Sequence, residues 1–335
     1  MHFINRLLYL FYYLKELDLK RFGLFLNHAS SVTGKSMVKL IADDVYSVFK
    51  FNTSLIDYFC FRFYEMKNFE RSAWAGTGFM YEYQLMMNPK KVRWVLEDKA
   101  AFNDKFNSLI NREYFQLEKT KKNPEIIKRL LENSDGRIVL KNSLGQAGKQ
   151  IKIIISSEFT QDQLINVMKS GNFDLAEEYI IQHPEMMKLS PSGLNTVRVI
   201  TQEKDGKIAI IAARLRISIN SLVDNLAAGN AAAPLDPVTG IVTGPAVFSD
   251  ITRTDIFFHP ITGVEIPGFQ VPFWKEVVAL VIKAAMMTPD NRSIGWDVGI
   301  KASGPLLVEG NHNWCKLLWQ LPVKKGLKKE LEIYL

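Results

Sequence analysis

The sequence predicts an α+β fold with its helices leading, and three observations carry that expectation. Over residues 1–85, Leu, Phe and Tyr recur at three-to-four spacing with few Gly or Pro breaks and little strand-like alternation. From about residue 86 the pattern changes to short helical stretches interleaved with β-rich runs on either side of glycine-containing loops. Further on, two long apolar runs meet at Asp205-Gly206, the two-residue signal of a tight hairpin.

Within the helical leader, Thr33-Gly34-Lys35-Ser36 resembles the end of a phosphate-binding P-loop. That motif needs a glycine five positions before Gly34, where Ala29 stands, and a buried incoming strand, where a polar turn stands. A helix start with Ser36 available as its cap accounts for the stretch better. Residues 98–112 and 124–133 then read as helices, the second ended by Asn133-Ser134-Asp135-Gly136. Next come a strand at 137–140, the loop 141–149 and a strand at 151–156. A helix at 161–170 follows, with Thr160 and Gln163 forming a capping box and Gly171 at the far end. A strand at 175–181 leads through two prolines to the hairpin of 195–203 and 208–219. Residues 224–272, rich in Gly, Pro and Asp, read as a long irregular excursion. A helix at 273–287 and two short strands, 295–300 and 305–309, turning at Ser303-Gly304, complete the pattern.

Composition narrows the function classes. With 47% hydrophobic and 23% charged residues over 335 positions, the chain is ordinary for a globular protein, which excludes disordered and collagenous readings. Cys60 and Cys315 are its only cysteines and neither has a CxxC partner, so a disulfide framework or a cysteine zinc site is unavailable and a reducing, cytoplasmic setting fits. The basic residues behind the net charge of +7 concentrate in 88–129 and 316–335 without a zinc-finger, RNP or helix-turn-helix signature, so no nucleic-acid partner is expected. The apolar run 7–14, flanked by Arg6 and Lys15, is shorter than the roughly 20 residues a bilayer span requires. No small-residue cleavage site follows it. It fits either a packed helix face or, with Lys20 and Arg21 behind it, a helix in peripheral contact with the inner face of a membrane.

Four groups of residues point to chemistry. Glu309 and Asn311, two apart at a strand end, share a face, and Asp297 on the preceding strand offers a third oxygen. An all-oxygen set suits Mg²⁺ shared with phosphates, against the plain alternative of solvated acids on an edge hairpin. Gly145 and Gly148, between two strands, allow close backbone approach to an anion, with Lys141 as a point charge; the plain alternative is a flexible hairpin with a solvent lysine. Glu177 and Glu178 lie at the edge of an apolar segment about 36 residues after Lys141. In the central hairpin, a regular two-residue turn pairs Asn195 with Arg216 and puts Arg214 on that same face, where arginines suit a bidentate grip on phosphate or carboxylate. Arg198 then faces the other way unless a bulge intervenes.

Taken in order, these residues resemble the ATP-grasp superfamily. The resemblance is carried by Asp98-Lys99, the run from Lys141 to Gly148, Glu177-Glu178-Tyr179-Ile180, Ala213 to Arg216, Asp224-Asn225 with Gly229, Gly295-Trp296-Asp297, and Val308 to Asn311. The loop at 224–229 also resembles that of bacterial glutathione synthetases. With His183-Pro184 and Asn195-Thr196-Val197-Arg198, the chain is most similar to the sugar-transfer-associated ATP-grasp family, whose genes lie among those for cell-surface polysaccharides. The resemblance spans about residues 86–320. It implies two α+β subdomains clasping ATP, with a nucleotide clamp at about 130–185 and a metal and acceptor part at about 186–323. The helical region 1–85 precedes them and a basic tail, 324–335, follows.

The resemblance also implies roles. Lys99 and Lys141 contact the ATP phosphates, the Gly145–Gly148 loop closes over them, and the hinge Glu177, Glu178, Tyr179 and Ile180 receives adenine, mainly through the backbone of Glu178 and Ile180. Asp297, Glu309 and Asn311 hold one or two Mg²⁺, with Mn²⁺ as a substitute. Arg214, Arg216 and Arg198, with Asn225, serve the transferring phosphate. Asn142 replaces the proline common after the loop lysine, and Asn313 stands where some members carry arginine, which leaves Arg214 or Arg216 as the acyl-phosphate grip. His183, His259 and His312 are expected in structural or ribose-side roles. The implied activity is a carboxylate–amine ligase working through an acyl-phosphate, with a uronic acid or amino acid as the carboxylate-bearing acceptor and an amine as nucleophile. The rivals are a phosphotransferase acting on a sugar or polyol hydroxyl, and a non-catalytic nucleotide-binding or interaction module.

Overall fold

The periodic apolar residues of the leader form helices His2–Lys15, Leu19–Thr33 and Met37–Phe51, then the shorter Leu55–Cys60, Asn68–Arg71 and Thr77–Met87, in a computed structural model that describes residues 2–122, 124–145, 151–221 and 224–335. Phe25, Leu40, Tyr58, Phe59, Phe61, Phe63 and Trp74 are buried together at their centre, several rings meeting edge-on as in Phe22–Phe59 and Tyr58–Phe59. Gly34 ends the second helix in the left-handed conformation, with its N–H donating to Ser30 O, and Ser36 occupies the next N-cap position without a side-chain bond. Thr33-Gly34-Lys35-Ser36 is therefore a helix–helix turn.

Beyond the leader stand two antiparallel sheets. The first contains β1 (Tyr114–Gln116), β2 (Arg137–Lys141), β3 (Ile151–Ile155) and β4 (Leu175–Glu178) in the order β1-β4-β2-β3. Helices Pro124–Leu131 and Gln161–Ser170 cover one face, packing Ile127, Leu130, Leu164 and Met168 onto Ile138, Leu140 and Ile154. The Thr160–Gln163 capping box starts the second of these helices as expected. Strand alternation turns Val139, Lys141 and Ile153 to the opposite face.

The second sheet contains β5 (Val197–Lys204), β6 (Lys207–Ile217), β7 (Ala231–Leu235), β8 (Ser293–Lys301) and β9 (Gly304–Asn311), ordered β7-β6-β5-β8-β9. Its back face, with Val197, Val199, Leu215, Trp296 and Val298, packs on helix Trp274–Met286. Asp205 and Gly206 turn the β5–β6 hairpin with φ of 53° and 76°, the left-handed pair that a type I′ turn requires.

Two bulges set the register of this sheet. Between β5 and β6 the partners run Thr201 with Ile210 and then Ile200 with Ala212, so Ile211 is an extra residue. Between β8 and β9 they run Val298 with Leu307 and then Asp297 with Glu309, so Val308 is extra. The result is one transverse row of directly opposed residues across five strands: Pro234, Arg214, Arg198, Asp297 and Glu309. This corrects the expected pairing of Asn195 with Arg216. The Arg216 N–H instead donates to Thr196 O at 2.9 Å, and Arg198 joins the face of Arg214 and Arg216.

Other departures have local causes. The helix expected over 98–112 divides into Lys99–Lys105 and Asn107–Ile110 at Phe106, whose ring is buried edge-on against Trp296. Strand β7 falls in the stretch read as irregular: its Ala-Ala-Ala-Pro-Leu sequence has no β-branched residue, and proline is tolerated because β7 is the outermost strand of its sheet. Helix Pro184–Leu189 occupies part of the expected loop, capped by the His183 ring, which accepts from Glu185 N–H. In the C-terminal tail, Leu327 and Leu331 are buried with Met80, Tyr83 and Trp319, and Lys328 N–H donates to Ala73 O. Among the described residues no helix is long and apolar enough to cross a membrane. In the first helix Leu8, Phe11, Tyr12 and Leu14 are exposed while Tyr13 is buried.

Candidate active site

A cleft of about 810 Å³ takes its walls from both sheets: Lys141 and Glu177 of the first sheet, and Arg198, Arg216, Asp297 and Glu309 of the second, line it. On the first sheet the organising group is Glu177, only 2% exposed. Its carboxylate accepts from Lys141 Nζ at 2.5 Å, Asn103 Nδ2 at 2.8 Å and Arg112 Nη2 at 3.2 Å. Burial works to raise its pKa, yet Arg112 and Lys141 hold the carboxyl well below the usual range. Arg112 also donates to Leu307 O at 2.6 Å, so one buried guanidinium ties the first sheet to β9 of the second.

Lys99 follows the helix cap made by Asp98, whose side chain accepts from Ala100 and Ala101 N–H. Its ammonium donates to the carbonyls of Ser143, at 3.3 Å, and of Gly145. Burial lowers its pKa. The start of the glycine loop is anchored by Asp174, which accepts from both Ser143 N and Ser143 Oγ at 2.6 Å. Gly148 lies outside the described residues. At the hinge, Glu178 N–H donates to Glu113 O at 2.9 Å, Tyr179 stacks under the Arg137 guanidinium at 3.8 Å, and Ile180 lines the cleft.

On the second sheet Asp297 is gripped from two sides. Arg198 donates to both its oxygens, and Arg216 Nη1 reaches Oδ2 at 2.6 Å. Arg216 in turn pairs with Asp224 at 2.7 Å, and Asp224 accepts from Thr196 N and Oγ1 at 2.6 Å. Burial opposes ionisation of Asp297, but the two arginines hold its carboxyl well below the ordinary range. Glu309 behaves oppositely: burial, and then the facing Asp297 carboxylate, raise it. Asn311 Nδ2 donates to Glu309 Oε1 at 3.2 Å.

Gly295 makes this packing possible. A Cβ there would lie 2.7 Å from Trp314 Cβ and 3.0 Å from Arg198 Cδ. Gly295→Ala is therefore expected to cost about 1–3 kcal/mol as an overpacked site and to lower turnover by displacing Arg198. Denaturant midpoints and initial rates check both.

The residues present fit a divalent cation at Glu309 and Asn311. Both carry oxygen donors, and Glu309 is raised by burial and by the facing Asp297 carboxylate, an environment that a cation would relieve. Asp297 differs from expectation, because Arg198 and Arg216 already occupy both its oxygens and leave it only remaining lone pairs. Arg214 also departs: its guanidinium donates to Trp319 O at 2.6 and 3.1 Å and is absent from the cleft lining. Burial, opposed by Glu330, lowers its pKa to about 10. Of the three arginines expected at the transferring phosphate, Arg198 and Arg216 line the cleft and Arg214 does not. Asn225 lines the cleft and caps the turn Leu226–Ala228 through Ala227 N–H.

Of the histidines, His183 is a helix cap, His259 Nε2 sits 3.0 Å from Ser218 O in the interior, and His312 lines the cleft beside Glu97 at 3.0 Å. The residues that sequence reasoning missed are Arg112, Asn103 and Thr196, and the apolar trio Val139, Ile151 and Ile153 on the cleft wall. Only the trio left a trace, as apolar residues on both faces of strands that the helices cover on one side.

The family described as sugar-transfer associated ATP-grasp matches residues 79–333. Among solved structures, the chain is similar to the ATP-grasp ligase PsnB complexed with a phosphomimetic variant of minimal precursor, Mg and ADP, at 12% identity and a TM-score of 0.44, covering 77% of this chain and 66% of that one. It is also similar to D-alanyl-alanine synthetase A from Vibrio cholerae, at 12% identity and a TM-score of 0.40, covering 72% and 60%. A third is the biotin carboxylase β-γ-ATP complex from Campylobacter jejuni, at 10% identity and a TM-score of 0.46, covering 72% and 47%. The chain thus spans less than two thirds of the length of each of these three structures. No curated protein matches it.

Proposed function

Because this chain belongs to the sugar-transfer-associated ATP-grasp family, we propose that it is a cytoplasmic Mg·ATP-dependent ligase that joins a carboxylate to an amine through an acyl-phosphate, in the making or modification of cell-surface polysaccharide. The observation that carries this reading is the charged row of the second sheet facing Lys99 and Lys141 across a single cleft. Residues 130–185 act as the nucleotide clamp and 186–323 as the metal and acceptor part, with the leader 1–85 and the tail 324–335 outside them.

Adenine enters between Tyr179 and the apolar wall of Val139, Ile151 and Ile153. Since Glu178 N–H is already committed to Glu113 O, the Glu178 carbonyl and the Ile180 N–H are left to read its edge. Lys99 and Lys141 neutralise the phosphates, Lys141 being aimed by Glu177. Glu309 and Asn311 hold Mg²⁺, or Mn²⁺ in its place, with Asp297 adding a lone pair. When bound, the metal supplies charge neutralisation for the transferring phosphoryl group. The acceptor carboxylate attacks the γ-phosphorus and ADP leaves. The amine then attacks the acyl carbon, releasing inorganic phosphate and a proton. Arg198 and Arg216 stabilise the charge that spreads over the phosphoryl oxygens.

The test is a panel of uronic acids and amino acids with amine nucleophiles. ADP, phosphate and an amide product are expected in equal amounts; a stable phosphoester would establish the phosphotransferase instead. Lys141→Ala is expected to weaken ATP binding about tenfold, the loss of one charge-assisted contact. Absence of any Mg·ATP thermal shift in the wild type would overturn the ligase reading in favour of a non-catalytic module.

A further inference from the structure

Six cationic or basic side chains line the cleft among the described residues: Arg21, Lys99, Lys141, Arg198, Arg216 and His312. Four are paired with carboxylates: Lys141 with Glu177, Arg198 with Asp297, Arg216 with Asp224 and Asp297, and His312 with Glu97. Among the described residues Lys99 and Arg21 have no carboxylate in ion-pair distance. Lys99 sits at the glycine loop, on the nucleotide side. Arg21 lines the same cleft and comes from the helical leader.

Its position follows from a chain of contacts. Arg216 pairs with Asp224, two residues before Leu226. Leu226 O accepts from Ser249 Oγ at 3.1 Å, and Ser249 O accepts from Arg21 Nη2 at 3.1 Å. The Phe25 ring supports the guanidinium at 5.1 Å. Leu226, Leu317 and Leu318 line the cleft nearby. Helix Lys316–Gln320, which carries two of them, is fastened to the leader by Lys316, 3.0 Å from Asp57. The leader thus contributes to the cleft a half-buried guanidinium that donates to a carbonyl and, among the described residues, has no carboxylate in ion-pair distance.

We propose that Arg21 is an acceptor-binding residue. It receives a second anionic group of the acceptor, a carboxylate or phosphate remote from the carboxylate that reacts, across the apolar floor of Leu226, Leu317 and Leu318. The helical leader therefore completes the acceptor subsite. This inference rests on the ligase reading above and gives its acceptor a charge pattern: two negative groups, one at each end.

Cys315 supplies the readout, because it is exposed in the same part of the cleft while Cys60 is buried, its thiol pushed up to about 12 by burial. The full chain, with Mg²⁺ and a non-hydrolysable ATP analogue, is alkylated at Cys315 by iodoacetamide in the presence of paired probes. These are glutarate against butyrate, and glucuronic acid 1-phosphate against glucuronic acid. At least one probe with two anionic groups is expected to protect at a concentration about tenfold below its counterpart with one, the worth of one charge-assisted grip. Which one protects tells a carboxylate from a phosphate. Arg21→Gln should erase that preference and Arg21→Lys keep part of it, with a Mg·ATP thermal shift confirming that both variants fold. No preference in the wild type, or one unchanged in Arg21→Gln, overturns the proposal. Alkylation needs no turnover, so protection without ligation would remove the ligase reading and leave the subsite standing.

Discussion

Replacing Glu309 by Gln is expected to lower turnover by about a thousandfold, the scale of losing a charge-stabilising group at a phosphoryl centre. Glu309 lies directly opposite Asp297 across the β8–β9 pair and is raised by burial and by that neighbour. It must therefore lose its proton before it can hold a cation. The sign follows: apparent Mg²⁺ affinity of the wild type rises with pH until Glu309 is ionised and then levels off. Glu309→Gln, with nothing to titrate, should flatten that rise as well as weaken the affinity. Initial rates against Mg²⁺ at several pH values measure both effects. Near-normal turnover in this variant would sink the assignment of β9 as the metal-holding strand.

Arg112→Met is expected to have the largest effect on stability, about 3–5 kcal/mol, because it leaves Glu177 buried with one cationic partner fewer. Arg112 also satisfies the Leu307 carbonyl, so its loss loosens β9 next to Glu309. Glu177 is held below its unfolded value, so it adds stability above the ordinary carboxylate pKa near 4.3, which is lost as pH falls through the folded value. Without Arg112 that folded value moves up, and acid unfolding should begin at a higher pH. Denaturant midpoints between neutrality and acid measure the size and the sign. Replacing Arg112 and Glu177 together by Met should recover part of the stability, since the buried carboxylate leaves with its guanidinium while Lys141 loses its partner. A loss below about 1 kcal/mol in Arg112→Met, the range of an exposed pair, would show that Glu177 is not desolvated.

The order of chemical residues along the chain was legible, and so were most elements between them, because turn residues such as Asp205-Gly206 and caps such as Thr160 act locally. What escaped was register. Ile211 and Val308 are ordinary strand residues, and nothing in their chemistry announces that each is one residue too many. The interrupted alternation of Ile210-Ile211 followed by Ala212-Ala213 is the trace they leave. Arg112 escaped for a different reason. It sits in a charge-rich stretch that reads as a solvated surface, and its partner is Glu177, on a strand far along the chain. Arg214 was misread because a shared sheet face does not say where a long side chain ends; helix Lys316–Gln320 offers it a carbonyl before it reaches the cleft.

The two bulges also mean that length carries information here which composition does not. A strand has two faces, so every insertion or deletion is read as odd or even. Two residues gained at the tip around Asp205-Gly206 extend the hairpin and leave the row from Arg214 to Glu309 as it is. Pairing Ile211 regularly with Ile200, with no bulge, would set Arg214 opposite Val197, and Arg214 and Arg216 would no longer share a face with Arg198. Counting, more than any one side chain, keeps these charges out of the core and on the side where phosphate would meet them.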